Sequence, residues 1–343
     1  SEMEVFFQVC PCRTIAVTGS DGKTTTTTII AELLKAAGQT VYVGGNIGKP
    51  LLPDVDGMEP EDIAVLELSS FQLMTMDQSP DIAVVTNLAP NHLDVHKSME
   101  EYIEAKENIF LHQREQDLLV INADNPYTRS FENMAPGRLS MFSREEEPKR
   151  GTFLRDGVIW VRNEMHERPV LPVADILLPG IHNVENYMAA IAALDGLVPD
   201  QVVRDFARKF AGVEHRIELV RTLNGVKYYN DSIASSPSRT IAGLRSFHQK
   251  VILIAGGYDK HIPFDVLGPE IIEHVKALFL TGDTAGKIKA AVEQCPDYLP
   301  AALPIAIIPD FDKAVLAAHL TAQPGDVVIL SPACASFDKF KNF

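Results

Sequence analysis

The chain has 343 residues, long enough for two domains with sizeable cores. Its 46% hydrophobic content is that of an ordinary globular protein, and no apolar run is long enough to span a bilayer. A formal net charge of −15 argues against a nucleic-acid binder, which would carry a basic patch; it still allows a nucleotide ligand, whose phosphates are met by local dipoles and metal ions.

Thr14–Thr18 reads as the first strand and Thr24–Ala37 as its helix, stopped at Gly38. Between them, Gly19, Ser20, Asp21, Gly22, Lys23, Thr24 and Thr25 form a phosphate-binding loop. Small residues let the backbone wrap phosphates, and the N–H groups of the loop and helix start favour anions. Lys23 is expected to reach terminal phosphate oxygens, and the Thr24 hydroxyl to sit on Mg2+. Val17 stands where the usual loop has its first Gly, so this is a variant. The bland alternative is a strand-to-helix turn that binds nothing.

The next strands are Val41–Val43, Ile63–Leu68 and Ile82–Thr86. Glu67 places a carboxylate at the C-terminal sheet edge, where α/β proteins bind ligands. A metal role beside the phosphate loop is favoured over a strand-end salt bridge. Asn87, His92 and Asp94 follow the third of these strands at the same edge. Ser98–Gln113 reads as a helix with a Ser98/Glu101 capping box. On it, Lys106 projects from the apolar stripe of Tyr102, Ile103, Ile109 and Phe110. Two readings stay open: a snorkelling lysine, or a pocket lysine with altered protonation or a covalent modification. Leu118–Asn122 is a strand, Thr152–Val161 a hairpin turning at Asp156-Gly157, and Asn183–Leu194 and Asp200–Phe210 are helices. Asn183 and Asn186 share a helix face, either to contact a nucleotide base or simply to cap.

After Ala211-Gly212-Val213 the pattern restarts, with strands at Lys227–Asn230, Val251–Ala255, Ala277–Thr281 and Val327–Leu330 and helices near 237–247, 284–293 and 311–321. The expectation is an α/β chain: a central P-loop ATPase-type domain over 1–212 with a mostly parallel sheet, then a smaller Rossmann-like α/β domain over 213–343. Arg216 at the junction is a candidate phosphate clamp or a surface ion pair. Gly256-Gly257 opens another strand-end loop, from which Lys260 reaches a carboxylate or phosphate. Cys334 reads as a small buried residue rather than a nucleophile. The cysteines at 10, 12, 295 and 334 lack zinc spacing and read as reduced thiols of a cytosolic protein.

Together these segments resemble the Mur ligases of peptidoglycan synthesis, and within them the branch that adds D-glutamate. The phosphate loop is shared by all Mur ligases and the folylpolyglutamate synthases. Glu67-Leu68-Ser69-Ser70-Phe71-Gln72-Leu73 and Ser331–Asp338 with Lys341-Asn342-Phe343 are specific to the D-glutamate branch. The resemblance implies ATP-dependent amide formation through an acyl phosphate, with UDP-N-acetylmuramoyl-L-alanine and D-glutamate as substrates and ADP and phosphate as products. It implies that Lys23 holds the phosphates, that Thr24 and Glu67 hold one Mg2+, and that His92 and a carbamylated Lys106 hold a second. Asn183 and Asn186 are implied at the base, and Arg216 and Asp231 at the ATP. Asn46 and Ser69 are implied at the muramoyl-alanine part, and Lys260, Ser336 and Phe343 at D-glutamate. The resemblance settles Lys106 in favour of function. A cytoplasmic monomer is expected, with no nucleic-acid or membrane partner.

Three departures accompany the resemblance. The family has a preceding UDP-binding domain, so the chain reads as a fragment that is weak or inactive alone. The family continues past Phe343 with a terminal helix. Ile233 stands where some relatives have Lys, with Ser235 a partial substitute. The competing readings are a folylpolyglutamate-synthase-like ligase and a nucleotide-binding module without catalysis.

Overall fold

The computed structural model describes residues 2–47, 50–89, 98–164, 166–259 and 263–335. The chain divides into two compact units, Ser1–Phe210 and Ala211–Phe343.

The first unit opens with helix α1 (Glu2–Val9) and strand β1 (Arg13–Thr18), followed by α2 (Lys23–Ala36), β2 (Val41–Gly45), β3 (Ile63–Glu67), the short α3 (Ser70–Leu73) and β4 (Ile82–Val85). Then come α4 (Met99–Glu107), β5 (Leu118–Asn122), α5 (Pro126–Arg129), β6 (Arg138–Ser143), β7 (Gly151–Arg155), β8 (Val158–Arg162), β9 (Glu167–Pro172), α6 (Ile181–Ala193) and α7 (Asp200–Ala207). The strands build one sheet in the order β2-β3-β1-β4-β5-β6-β7-β8-β9. Pairing is parallel from β2 through β7 and antiparallel for β7–β8 and β8–β9. The near-continuous apolar runs of β1, β3, β4 and β5 follow from burial on both faces. Ile15, Val17, Val65, Val84 and Val120 pack with α2 and α6 on one side. Ala16, Leu66, Val85, Leu119 and Ile121 pack on the other with Phe6 of α1, Leu73 of α3 and Tyr102 of α4.

Chain order around β1 puts the ligand crevice where such sheets put it. From β1 the chain runs outward to β2, returns through β3, then crosses to β4 on the opposite flank. The order therefore reverses beside β1, and the carboxyl ends of β1, β3 and β4 flank a topological switch point.

The second unit contains β10 (Glu218–Leu223), β11 (Val226–Asn230), α8 (Pro237–Leu244), β12 (Val251–Ala255), α9 (Leu267–His274), β13 (Val275–Leu280), α10 (Ala285–Glu293), β14 (Ile305–Ile307), α11 (Phe311–Thr321) and β15 (Val327–Leu330). Its sheet order is β10-β11-β15-β12-β13-β14, antiparallel only at β10–β11. α8, α9 and α10 cover one face, and α11 the other.

Strands β6, β9, β10 and β14 and helices α1, α3, α5 and α9 add to the elements read from sequence. β9 carries prolines at Pro169 and Pro172, and β10 has no buried residue, so neither shows the buried-strand pattern. The helix read over 98–113 ends earlier, at Glu107.

Candidate functional site

The phosphate loop leaves β1 at Thr18 and enters α2 with Gly22 as its N-cap, and no side chain caps that helix start. An uncapped helix N-terminus of this kind is an anion site. Two glycines are required by close approach as well as by backbone angle. A Cβ on Gly19 (φ +150°) would lie 2.0 Å from Thr86 Oγ1, and one on Gly22 (φ +77°) 2.4 Å from Asn186 Oδ1.

The loop is buttressed from β4's end. Thr86 Oγ1 donates to the Asp21 carbonyl (2.6 Å), and the Asp21 N–H donates to Asn87 Oδ1 (3.0 Å). The Ser20 hydroxyl donates to the Ala89 carbonyl (3.0 Å) and accepts from the Ala89 N–H (2.9 Å), so its side chain braces the loop. Lys23 Nζ donates to the carbonyls of Gly19 (2.8 Å) and Ser20 (2.9 Å), which places its charge within the loop. Thr25 is buried in the first turn of α2.

Glu67 ends β3 and is 2% exposed. Thr24 Oγ1 donates to its Oε2 (2.6 Å), and Asn46 Nδ2 donates to its Oε1 (2.8 Å). Thr24 and Glu67 thus converge as oxygen donors suited to a hard divalent cation, beside the phosphate loop. Among the described residues no three His, Cys, Asp or Glu side chains gather into a metal cage. One carboxylate, one hydroxyl and substrate phosphates nevertheless match the way Mg2+ is commonly bound. Asn46 orients that carboxylate. Ser69 forms a capping box with Gln72 at the start of α3, accepting from the Gln72 N–H (3.3 Å).

Lys106 is 1% exposed, so it does not snorkel. Its Nζ donates to Thr18 Oγ1 (3.0 Å) and to the Gly19 carbonyl (3.1 Å), and lies 4.9 Å from the centre of the Tyr102 ring. Burial, and then the nearby Lys23 charge, hold its pKa well below the usual lysine value; Glu67 opposes the shift. Thr18, Thr86 and Tyr102 were missed as site residues. Their signals were position at a strand end and, for Tyr102, one helical turn before Lys106.

Asn183 and Asn186 are buried on α6. Asn183 Nδ2 donates to the Pro179 carbonyl (2.6 Å), and Asn186 Nδ2 to Asn183 Oδ1 (3.1 Å). Asn186 Oδ1 accepts from Thr26 Oγ1 (3.1 Å), which fastens α6 to the first turns of α2.

In the second unit, Asp231 follows β11 and is 4% exposed. It accepts from Ser331 Oγ (2.7 Å) and from the Ile217 N–H (3.2 Å). Burial pushes its pKa up to about 6, against the lowering effect of those bonds and of Arg216 and Arg239. Arg216 lies between two residues with positive φ, His215 at +65° and Ile217 at +43°. A β-branched residue there is an outlier costing on the order of 1–3 kcal/mol. The turn is held by the His215 N–H donating to Glu218 Oε2 (2.8 Å) and by Asn230 Nδ2 donating to His215 Nδ1 (2.9 Å). The Ile233 N–H donates to the His215 carbonyl (3.2 Å), so Ile233 enters this turn through its backbone. Cys334 is 4% exposed, in keeping with a small buried residue. His92, Lys260, Ser336 and Phe343 lie outside the described residues.

Two family models match the chain: the Mur ligase middle domain over residues 17–194, and the Mur ligase glutamate ligase domain over residues 215–334. A UDP-N-acetylmuramoylalanine--D-glutamate ligase of Acetivibrio thermocellus is 55% identical, across all of this chain and 74% of the relative. The protein of that name from Clostridium tetani is 51% identical over the same shares. Among solved structures, MurF from Acinetobacter baumannii superposes with a TM-score of 0.74 at 17% identity, over 98% of this chain and 76% of that one. A MurF ligase of Thermotoga maritima in complex with ADP gives 0.65 at 20% identity, over 96% and 78%. On these matches the chain belongs to the Mur ligase family.

Proposed function

We propose that this protein is the ATP-dependent ligase that joins D-glutamate to UDP-N-acetylmuramoyl-L-alanine, forming ADP and phosphate, in the cytoplasm. The observation that carries the reading is the convergence at one sheet edge of the uncapped α2 N-terminus, the 2.6 Å Thr24–Glu67 pair and the buried Lys106 amine. The relatives named above carry this activity in their names.

The loop's N–H groups and Lys23 hold the ATP phosphates and compensate the charge that spreads over the transferred group. Thr24 and Glu67 would hold Mg2+, which would supply positive charge to neutralise the phosphate oxygens during transfer. Burial shifts Lys106 toward its neutral amine; that amine would add to carbon dioxide, forming an N–C bond and releasing one proton to solvent, and the resulting carbamate oxygens, with His92, would hold a second cation. Asn46 and Ser69 serve the muramoyl-alanine part of the substrate, Asn183 and Asn186 the base, and Arg216 and Asp231 the ATP. Lys260, Ser336 and Phe343 orient the amine of D-glutamate for attack on the acyl phosphate. The protein works as a monomer.

The test is phosphate release by the full-length protein given ATP, Mg2+ and UDP-N-acetylmuramoyl-L-alanine. Release is expected on adding D-glutamate and not L-glutamate. An equal response to the two enantiomers would sink the assignment.

A further inference from the structure

The first unit carries a second feature of chemical interest, at the edge of the sheet opposite the phosphate loop. A cavity of about 170 Å³ lies there, bordered by Arg13, Arg138, Arg150 and Arg162. Arg13 and Arg138 are the first residues of β1 and β6, and Arg162 ends the antiparallel β8, so strand direction alone brings the three to one edge. Four guanidinium groups around one cavity are unexpected in a chain of net charge −15.

Most arginines of this unit are matched to carboxylates. Arg150 pairs with Glu164 (3.2 Å), Arg162 with Glu167 (2.6 Å) and Glu147 (2.9 Å), and Arg168 with Asp195 (2.8 Å) and Asp200 (2.9 Å). Arg13 and Arg138 are not. Arg138 Nε donates only to the Gln116 carbonyl (3.0 Å), and the Arg13 guanidinium has no hydrogen-bond or ion-pair partner among the described residues. The carboxylate bordering the cavity, Asp195, is already paired with Arg168 (2.8 Å) and accepts a hydrogen bond from Asn163 Nδ2 (3.0 Å). Arg13 also borders a neighbouring cavity with Glu61 and Asp62, neither within ion-pair distance. Ser140, 4% exposed, lines the first cavity, and its hydroxyl makes no hydrogen bond among the described residues.

We propose that this cavity binds a compact phosphate-type oxyanion of pyrophosphate size, held by the Arg13 and Arg138 guanidinium groups and the Ser140 hydroxyl. Planar guanidinium forks match phosphate oxygens bidentately, and Ser140 supplies a short neutral donor. The volume falls below the range of about 300–1,000 Å³ usual for larger organic ligands, which disfavours a nucleoside. The site is separate from the ATP loop, at the other ends of the same strands.

The probe is inorganic pyrophosphate, titrated calorimetrically into the full-length protein without Mg2+ at about 0.15 M salt, where weak surface attraction is screened. One saturable site is expected to persist in Lys23→Ala, which removes the loop's phosphate-binding amine. The double variant Arg13→Gln/Arg138→Gln is expected to weaken that site about tenfold or more. Ser140→Val, which removes the hydroxyl donor and leaves every arginine in place, is expected to weaken it likewise. Arg13 and Arg138 are exposed, so their replacement leaves the core intact, and heat unfolding checks this. Binding that disappears in Lys23→Ala and survives the arginine variant would assign pyrophosphate to the ATP loop and overturn the proposal. So would the absence of any saturable binding.

Discussion

Lys106 is an amine enclosed by the Thr18 hydroxyl, the Gly19 carbonyl and the Tyr102 ring, with another lysine close enough to disfavour its charge. Burial and Lys23 shift such a lysine toward its neutral form, the form that reacts with carbon dioxide. On labelling with ¹³C-bicarbonate, a carbamate carbon resonance is expected in the full-length protein and not in Lys106→Met. Ligase activity is expected to fall at least about a hundredfold in Lys106→Ala and to recover in part with acetate or formate, in line with the size of metal-site effects. Full activity of Lys106→Ala would end the carbamate reading.

Asp231 gives a pH signature. Its folded pKa is raised, to about 6 from 3.8, so the folded state binds more protons than the unfolded state between these values. Stability from this group is therefore present at low pH and lost as pH rises through that window. The loss is at most about 3 kcal/mol by pH 7. Asn keeps the shape without titrating. Measured by denaturant unfolding, the stability of Asp231→Asn relative to the parent is expected to increase from pH 4 to pH 7. A flat difference would show that Asp231 titrates normally.

At the scale of elements, the loop between β1 and α2 and the loop after β4 work as one unit, because Thr86, Asn87 and Ala89 bond to Ser20 and Asp21. Gly22 is where α2, α6 and the phosphate site meet. Gly22→Ala demands a positive φ and drives a methyl group against Asn186. It is expected to cost about 1–3 kcal/mol and to weaken ATP binding tenfold or more. Gly157, also at positive φ but facing open space, provides the control: Gly157→Ala is expected to cost about 1 kcal/mol and leave ATP affinity unchanged. Denaturant unfolding and nucleotide titration of both variants measure the contrast; equal effects would remove the loop from the site. The elements legible in sequence share a property. β1, β3, β4, β5 and β12 are buried on both faces, and α2 begins at a glycine-rich motif. β9 and β10, proline-bearing or exposed, lack that pattern because their sequences answer to solvent and turns as much as to a core.

At the scale of the whole molecule, local sequence determined much of this protein. The strand–loop–helix around Lys23, the carboxylate at the end of β3 and the lysine on an apolar helix stripe are each written in contiguous residues, because phosphate cradling, strand termination and helical periodicity are short-range properties. The Mur ligase segments, spread over nearly the whole chain, carried the family in the same way. Tertiary structure alone decided what these residues touch. Asn46 turned to Glu67, Asn186 to Thr26, and Lys106 to Thr18 and Gly19, because parallel strands and their crossovers bring together side chains far apart in the chain. It alone also placed Arg13, Arg138, Arg150 and Arg162 around one cavity. No window of sequence holds that arrangement: it depends on strand order and direction, which long-range pairing selects and local propensity does not.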